Sequence, residues 1–493
     1  MVRTRVLALL ATLAAAASAL PAGAAAPLPA PSAYGVAKGF QLVGHTNLGK
    51  RGMNSPIAVA GSCVYVGDRS DKNGIAIVSV KDPRRPVQVG TIPKVTGATQ
   101  RELRADAGLG ILVVMSYSTS TGGPVNTLKT YDISNCAKPT LLSTVDFLRR
   151  SPHEFFLWKD PKHPGRALAY VTFTIFSPDL EVYDLSDPRN PTLAAVYDLG
   201  VDSAKPFGAF DSSGGYLHSL SVSDDGTRAY LGTWDWGLYV ADTSSLAAGS
   251  PGAIVPLGAP LSYAGNVHGG VKVPGKPYAV LVQEGYAGVY PPTTDSGCPF
   301  GWLRMADLSN EALPTLTGGE FKLRENDCDR SKSLNGTFTS HNQTVFPDVA
   351  LAPWYGGGLR AVDISNPKAP VEAGAFVPRP EFEPYARDTR LYFSNADRWI
   401  GAMWSYPVVQ NGLIYVVDID LGLYVLRYTG KHAKEVSQAA FVEGNSAPSR
   451  FTKKAPVIKG PKHTPGRPGY VLDRFANAPL PKALKPYGFL CTL

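Results

Sequence analysis

Short runs of alternating apolar and polar residues recur along the chain, each closed by a cluster of Asp, Ser, Asn, Pro or Gly. Period-two alternation marks strands with one face inward. The stretch "YLHSLSVSDDGTRAYLGTWDWGLYVADTSS", residues 216–245, shows one unit. "HSLSV" reads as a first strand, and Asp224-Asp225-Gly226 as a hairpin turn in which Gly accepts a positive φ. "RAYLGTW" is the second strand, Asp235 to Gly237 a further turn, and "LYVAD" the third strand. In other units a fourth strand follows a proline: Pro86, Pro139, Pro191, Pro314 and Pro370. Proline has no N–H for a ladder, so it belongs at a strand start or a sheet edge.

The third strand recurs seven times, anchored by Ile75, Leu128, Leu180, Leu238, Leu303, Leu359 and Leu423. A lone four-stranded antiparallel sheet buries little and leaves edges, whereas radial repetition packs faces together and leaves short, protected edges. The fold class expected is therefore all-β, a seven-bladed β-propeller of four-stranded antiparallel blades. An open solenoid would leave end sheets that need caps. "FQLVGHTNLG", residues 40–49, looks like a fourth strand placed ahead of the first complete unit, suited to complete the last blade. "KEVSQAAFVEG" after the last unit competes for that position.

Leu359 to Pro370 reads L-x-x-V-D-x-S-x-P-x-x-P within "GLRAVDISNPKAPVEAG", with relatives at Leu128 and Leu180. This string resembles the LVIVD-repeat family, over roughly residues 40–445. Ser79 and Arg427 depart from the pattern where Asp132, Asp184, Asp242, Asp307 and Asp363 keep the acid. The resemblance implies a propeller in an exported or surface protein, and no settled activity. The repeated Asp, at a strand end before Ser, is suited to accept backbone N–H bonds in the ensuing turn rather than to do chemistry.

The N-terminus changes the picture of where the protein works. Arg3 and Arg5, the apolar run Val6 to Leu20, and the small residues near Ala24 form a secretory signal over residues 1–26. The propeller then occupies 27–445 and a basic, Pro-rich extension 446–493. A secreted, extracellular or cell-surface protein is expected, without a transmembrane segment and as a monomer. The net charge of +8 lies in that extension, where nine Lys and Arg face one acid. Contact with anionic cell surfaces suits it, and no nucleic-acid motif accompanies it. Of five cysteines, Cys298 and Cys328 bracket an irregular polar segment and form the expected disulfide. Cys63 reads as a buried thiol in "SCVYV", which leaves Cys136 and Cys491 as a second candidate pair.

Candidate chemistry rests on histidine. His153, His218, His268 and His341 stand near the start of the first strand in four consecutive units. First strands line a propeller's channel, so the four imidazoles can converge and hold copper, iron or zinc. Polar channel lining is the alternative. His218 shares the phase of Leu220 and Val222, which points toward a neighbouring blade, and His268 differs by one residue. Asp68, Glu284, Asp418 and Asp420, beside Trp234 and Asp235, form a second ring of hairpin or partner residues. Trp302, Trp354, Tyr355, Trp399 and Trp404 suit glycan contact or inter-blade packing. His163, His432 and His463, among Lys, Pro and Gly, read as exposed loop residues, and His45 in the closing strand carries no signal.

Two functions follow. One is a binding scaffold holding a protein, glycan or small molecule at the channel mouth, with the histidines replaceable. The other is a metal-dependent oxidoreductase or lyase centred on them. The long insertions at 290–302 and 378–399 are expected to serve either.

Overall fold

A computed structural model of the chain describes residues 35–120, 123–174, 176–199, 215–262, 266–285, 301–324, 338–379, 382, 384–386, 402–446 and 469–472. Seven sheets succeed one another, each built around an antiparallel meander, and three of them gain a strand from elsewhere in the chain. Blade 3 is representative, with strands Phe155–Lys159, Ala167–Thr172, Leu180–Asp184 and Thr192–Tyr197. First strands touch in succession from blade 1 to blade 6, an apolar cluster joins blades 6 and 7, and the seventh blade touches the first, so the ring is closed. Apolar clusters lie between neighbouring blades, as between blades 3 and 4, where Phe156, Tyr170 and Val182 meet Leu220, Leu231 and Tyr239.

The expected third-strand anchors all fall on third strands. Each of Pro86, Pro139, Pro191, Pro314 and Pro370 immediately precedes a fourth strand. The motif aspartates do what their position suggests. Asp132, Asp184, Asp242, Asp307 and Asp363 each accept the backbone N–H two residues on, at 2.7–2.9 Å. They fold the turn that returns the chain to the rim.

Closure is settled by strand order. Phe40–Thr46 is the outermost strand of blade 7, paired with Gly422–Tyr428. The rival segment forms a short helix, Ala433–Gln438, and a strand, Phe441–Val442, that pairs with the innermost strand Val408–Gln410 instead. Val36–Lys38 adds to the rim of blade 6, so residues 36–46 clasp two blades.

The cysteine assignment needs correction. Cys63 is not a free thiol but is bonded to Cys136, with Cα atoms 5.9 Å apart. Cys63 lies in the second strand of blade 1 and Cys136 in the turn after the third strand of blade 2, so the bridge staples neighbouring blades. Sequence reasoning took an apolar strand as a sign of a thiol; only the closeness of adjacent blades reveals the partner. The Cys298–Cys328 pair, Cys491, the signal segment, Trp399, His463 and most of the two insertions lie outside the described residues. Among the described residues no helix is long and apolar enough to cross a membrane.

Candidate metal centre

The four histidines meet. His153, His268 and His341 sit just ahead of the innermost strands of blades 3, 5 and 6. Each anchors its backbone N–H on the carbonyl of the residue that ends the second strand: Thr172, Val282 and Pro353, at 2.8–3.0 Å. One hydrogen bond repeated in three blades thus places three side chains at the same height. His218 lies inside the strand Gly215–Val222, whose pairing with Arg228–Trp234 is irregular between Gly215 and Ser219. That irregularity frees it from strict alternation, and the expected conflict of phase disappears.

The imidazoles form an arc. Ring centres are 4.2 Å apart for His153 and His218, 4.4 Å for His218 and His268, and 4.2 Å for His268 and His341. Trp234 stacks on His218 and Trp404 lies against His341. Arg69 and Arg101 both lie over Trp404, with guanidinium carbons 4.3 and 4.7 Å from the ring centre. Arg101 returns to His153, its Nη2 donating to Nε2 at 2.8 Å. Blades 1, 2 and 7 therefore complete the ring with Arg69, Arg101 and Trp404.

Two carboxylates enter the arc. Glu154 Oε1 is 3.4 Å from His268 Nε2 and 3.8 Å from His341 Nε2. Glu284 lies 3.8, 3.7 and 3.5 Å from Nε2 of His218, His268 and His341. Three overlapping triads result, each with its donor atoms within 4.8 Å of one another: His153–Glu154–His218, Glu154–His268–His341 and His218–His268–Glu284. Tyr355 donates to Glu284, and Asn342 Nδ2 to Glu154 Oε1 at 3.3 Å. All six donor residues are buried.

The protonation states favour ligation. Burial first, and the nearby Arg101 with neighbouring imidazoles second, hold His153, His218 and His341 well below the usual histidine range. They are neutral bases. Burial disfavours the Glu154 anion, yet His268 and Arg101 outweigh it and lower the pKa. Hydrogen bonds account for only part of the arrangement: His153 Nε2 and His218 Nε2 share one at 2.9 Å. Neither ring nitrogen of His268 or His341 has a hydrogen-bond partner, nor has Glu154 Oε2. Buried polar atoms are nearly always paired, and an orphan costs about 1–3 kcal/mol.

The channel is closed below this layer. Glu443 to Ser446 cross it after the last strand. Ala105 N donates to Glu443 Oε1, Arg104 Nη1 to the Gly444 carbonyl, and Val345 N to the Ser446 carbonyl. Asn445 Nδ2 donates to Ser219 Oγ and to Asn342 Oδ1. The segment thus touches blades 2, 4 and 6 and leads through Asn342 to Glu154.

The remaining candidates divide. Glu284 joins the histidines. Asp68 and Asp418 cap their own hairpins, accepting N–H bonds from Ser70 and from Asp420 and Leu421. Burial and then Asp420 push Asp418 up to about 7. Trp302, Trp354, Tyr355 and Trp404 are buried packing residues, so glycan contact by them is ruled out. Arg101, Glu154 and Asn342 stand in or against the histidine cluster and were missed by sequence reasoning. Glu154 adjoins His153 in "PHEFF", a signal masked by the expectation that neighbours on a strand face opposite ways.

Residues 51–92 and 355–377 match the LVIVD repeat. No curated protein matches the chain. Among solved structures, the β-propeller domain of Cps50 (Swd1) from Myceliophteria thermophila is 9% identical with a TM-score of 0.46, covering 78% of this chain and 99% of that one. Sqt1 of Saccharomyces cerevisiae is 11% identical with a TM-score of 0.43, over 78% and 98%. The C-terminal WD40 domain of Sif2 is 8% identical with a TM-score of 0.46, over 79% and 98%. These likenesses concern overall shape and bear on nothing at the histidine mouth.

Proposed function

Taking as premise that the chain is an LVIVD-repeat β-propeller, we propose that its channel holds one transition-metal ion, bound by His153, His218, His268 and His341 with Glu154 and Glu284. The propeller fold suggests a binding scaffold, and the ion is the ligand this scaffold is shaped to hold. The observation that carries the reading is the set of fully buried, unpartnered ring nitrogens of His268 and His341, facing two carboxylates. Buried polar atoms are nearly always paired, and a cation would satisfy these. Two nitrogens bound tetrahedrally at about 2.0–2.1 Å from one ion lie about 3.3–3.4 Å apart. The Nε2 atoms of His153 and His218, hydrogen-bonded to each other at 2.9 Å, need to part only slightly to reach that spacing. Imidazole with carboxylate suits copper, iron or zinc.

Export is part of the proposal. It rests on the leader at residues 1–26, and the Cys63–Cys136 disulfide supports an oxidising compartment. Attraction of the basic extension to anionic cell surfaces belongs with it.

Metal analysis of the purified full-length protein, after separate reconstitution with copper, iron and zinc, tests the reading. About one equivalent of one of these metals per chain is expected. The double variant H268A/H341A is expected to lose it. A wild-type protein that takes up none of the three ends the proposal.

A further inference from the structure

Among the described residues Arg101, Arg104, Arg150 and Arg360 are each no more than 3% exposed, and all but Arg101 face a carboxylate, Arg360 meeting Glu372 at 2.7 Å. Arg104 meets Glu102 and, at 3.9 Å, Glu443; Arg150 donates to Glu181 Oε1 at 2.7 Å. Arg101 is as deeply buried, 3% exposed, yet among the described residues no carboxylate lies within 4.0 Å of it. Its Nε donates to the His153 carbonyl at 3.0 Å, its Nη2 rests on His153 Nε2, and its Nη1 has no partner. Stacking on Trp404 offsets part of the cost of this charge. An unpaired buried cation is otherwise expensive enough to demand a counter-ion.

The counter-ion has a defined place. If His153 turns its Nε2 lone pair to the ion, Arg101 Nη2 loses its acceptor, and both terminal amino groups become available on one planar fork. That fork matches the two oxygens of a carboxylate or small oxyanion. We infer that the site binds a small anion, a carboxylate or an inorganic oxyanion, held between the metal and Arg101. The inference rests on the metal reading above and names the ligand class that the metal site receives.

The experiment uses full-length protein loaded with copper(II) and azide as the probe anion, read by its charge-transfer absorption, with metal content measured on every sample. Imidazole serves as a neutral probe. R101M is expected to keep its metal, to bind azide at least about tenfold more weakly, as loss of a charge-assisted bond implies, and to leave imidazole affinity unchanged. Azide affinity equal to wild type in a metal-loaded R101M overturns the inference and leaves the metal reading standing. A wild-type protein that takes up no metal overturns both. Should R101M lose its metal, R101K decides: azide binding retained with the charge supports the inference, and azide binding lost while the metal stays overturns it.

Discussion

Arg104 and Arg101 stand three residues apart on the innermost strand of blade 2, Ala98–Asp106, both buried, and their surroundings are opposite. Around Arg104, every charge is answered. Its Nε and Nη2 reach Glu102 Oε1, its Nη1 reaches the Gly444 carbonyl, and Glu102 Oε2 accepts the backbone N–H of Phe155. One layer toward the mouth, Arg101 shares a site with two imidazoles and a carboxylate oxygen that lack hydrogen-bond partners. The deeper layer is a finished structure that ties blades 2, 3 and 7. The upper layer keeps polar atoms without a hydrogen bond, which the proposed ligand would satisfy. Burial alone does not tell the two apart; the accounting of donors and acceptors does.

That contrast can be broken in three places. R104M strips Glu102 of its cation and should cost about 3–5 kcal/mol, because it leaves a buried charge uncompensated. Urea denaturation measures this, and a loss below about 1 kcal/mol would mean that the deeper layer is not structural.

The rim offers an intermediate case. Burial would raise the Asp363 carboxyl, but hydrogen bonds from Lys431 and Ser365 overcome it and hold the group at about 2. A depressed carboxylate contributes its full stability above the unfolded value near 4, and that contribution is lost as the pH falls toward 2. D363N should therefore cost about 1–2 kcal/mol at neutral pH, discounted because Lys431 is largely exposed, and nothing near pH 2. Stability curves against pH for both proteins check it; a parallel offset at all pH values would contradict the assignment.

The smallest effect belongs to the histidines. In chelator, H268A/H341A should lie within about 1 kcal/mol of wild type, since removing orphaned polar atoms offsets the lost packing. Denaturation as severe as that of R104M would make the imidazoles part of the fold's support and weaken the case for a ligand.

The architecture was readable in one dimension because its causes are local or periodic. Alternation sets strands, Asp-Gly and Asp-x-Ser set turns, and a proline without an N–H marks the rim. Seven naked-edged sheets then have one economical way to hide their flanks. The equivalence of His153, His218, His268 and His341 was visible for the same reason, since each recurs at one point of a repeat.

What tertiary structure decided is everything that depends on distance between blades. Cys63 pairs with Cys136 across 73 positions, Glu154 reaches His268 and His341, and residues 443–446 seal a channel begun by residue 54. Whether Arg101 or Arg104 has a counter-ion is likewise absent from their identical side chains. A repeat fixes each residue's height and radius, but the angle around the axis, and with it each neighbour, exists only once the ring has closed.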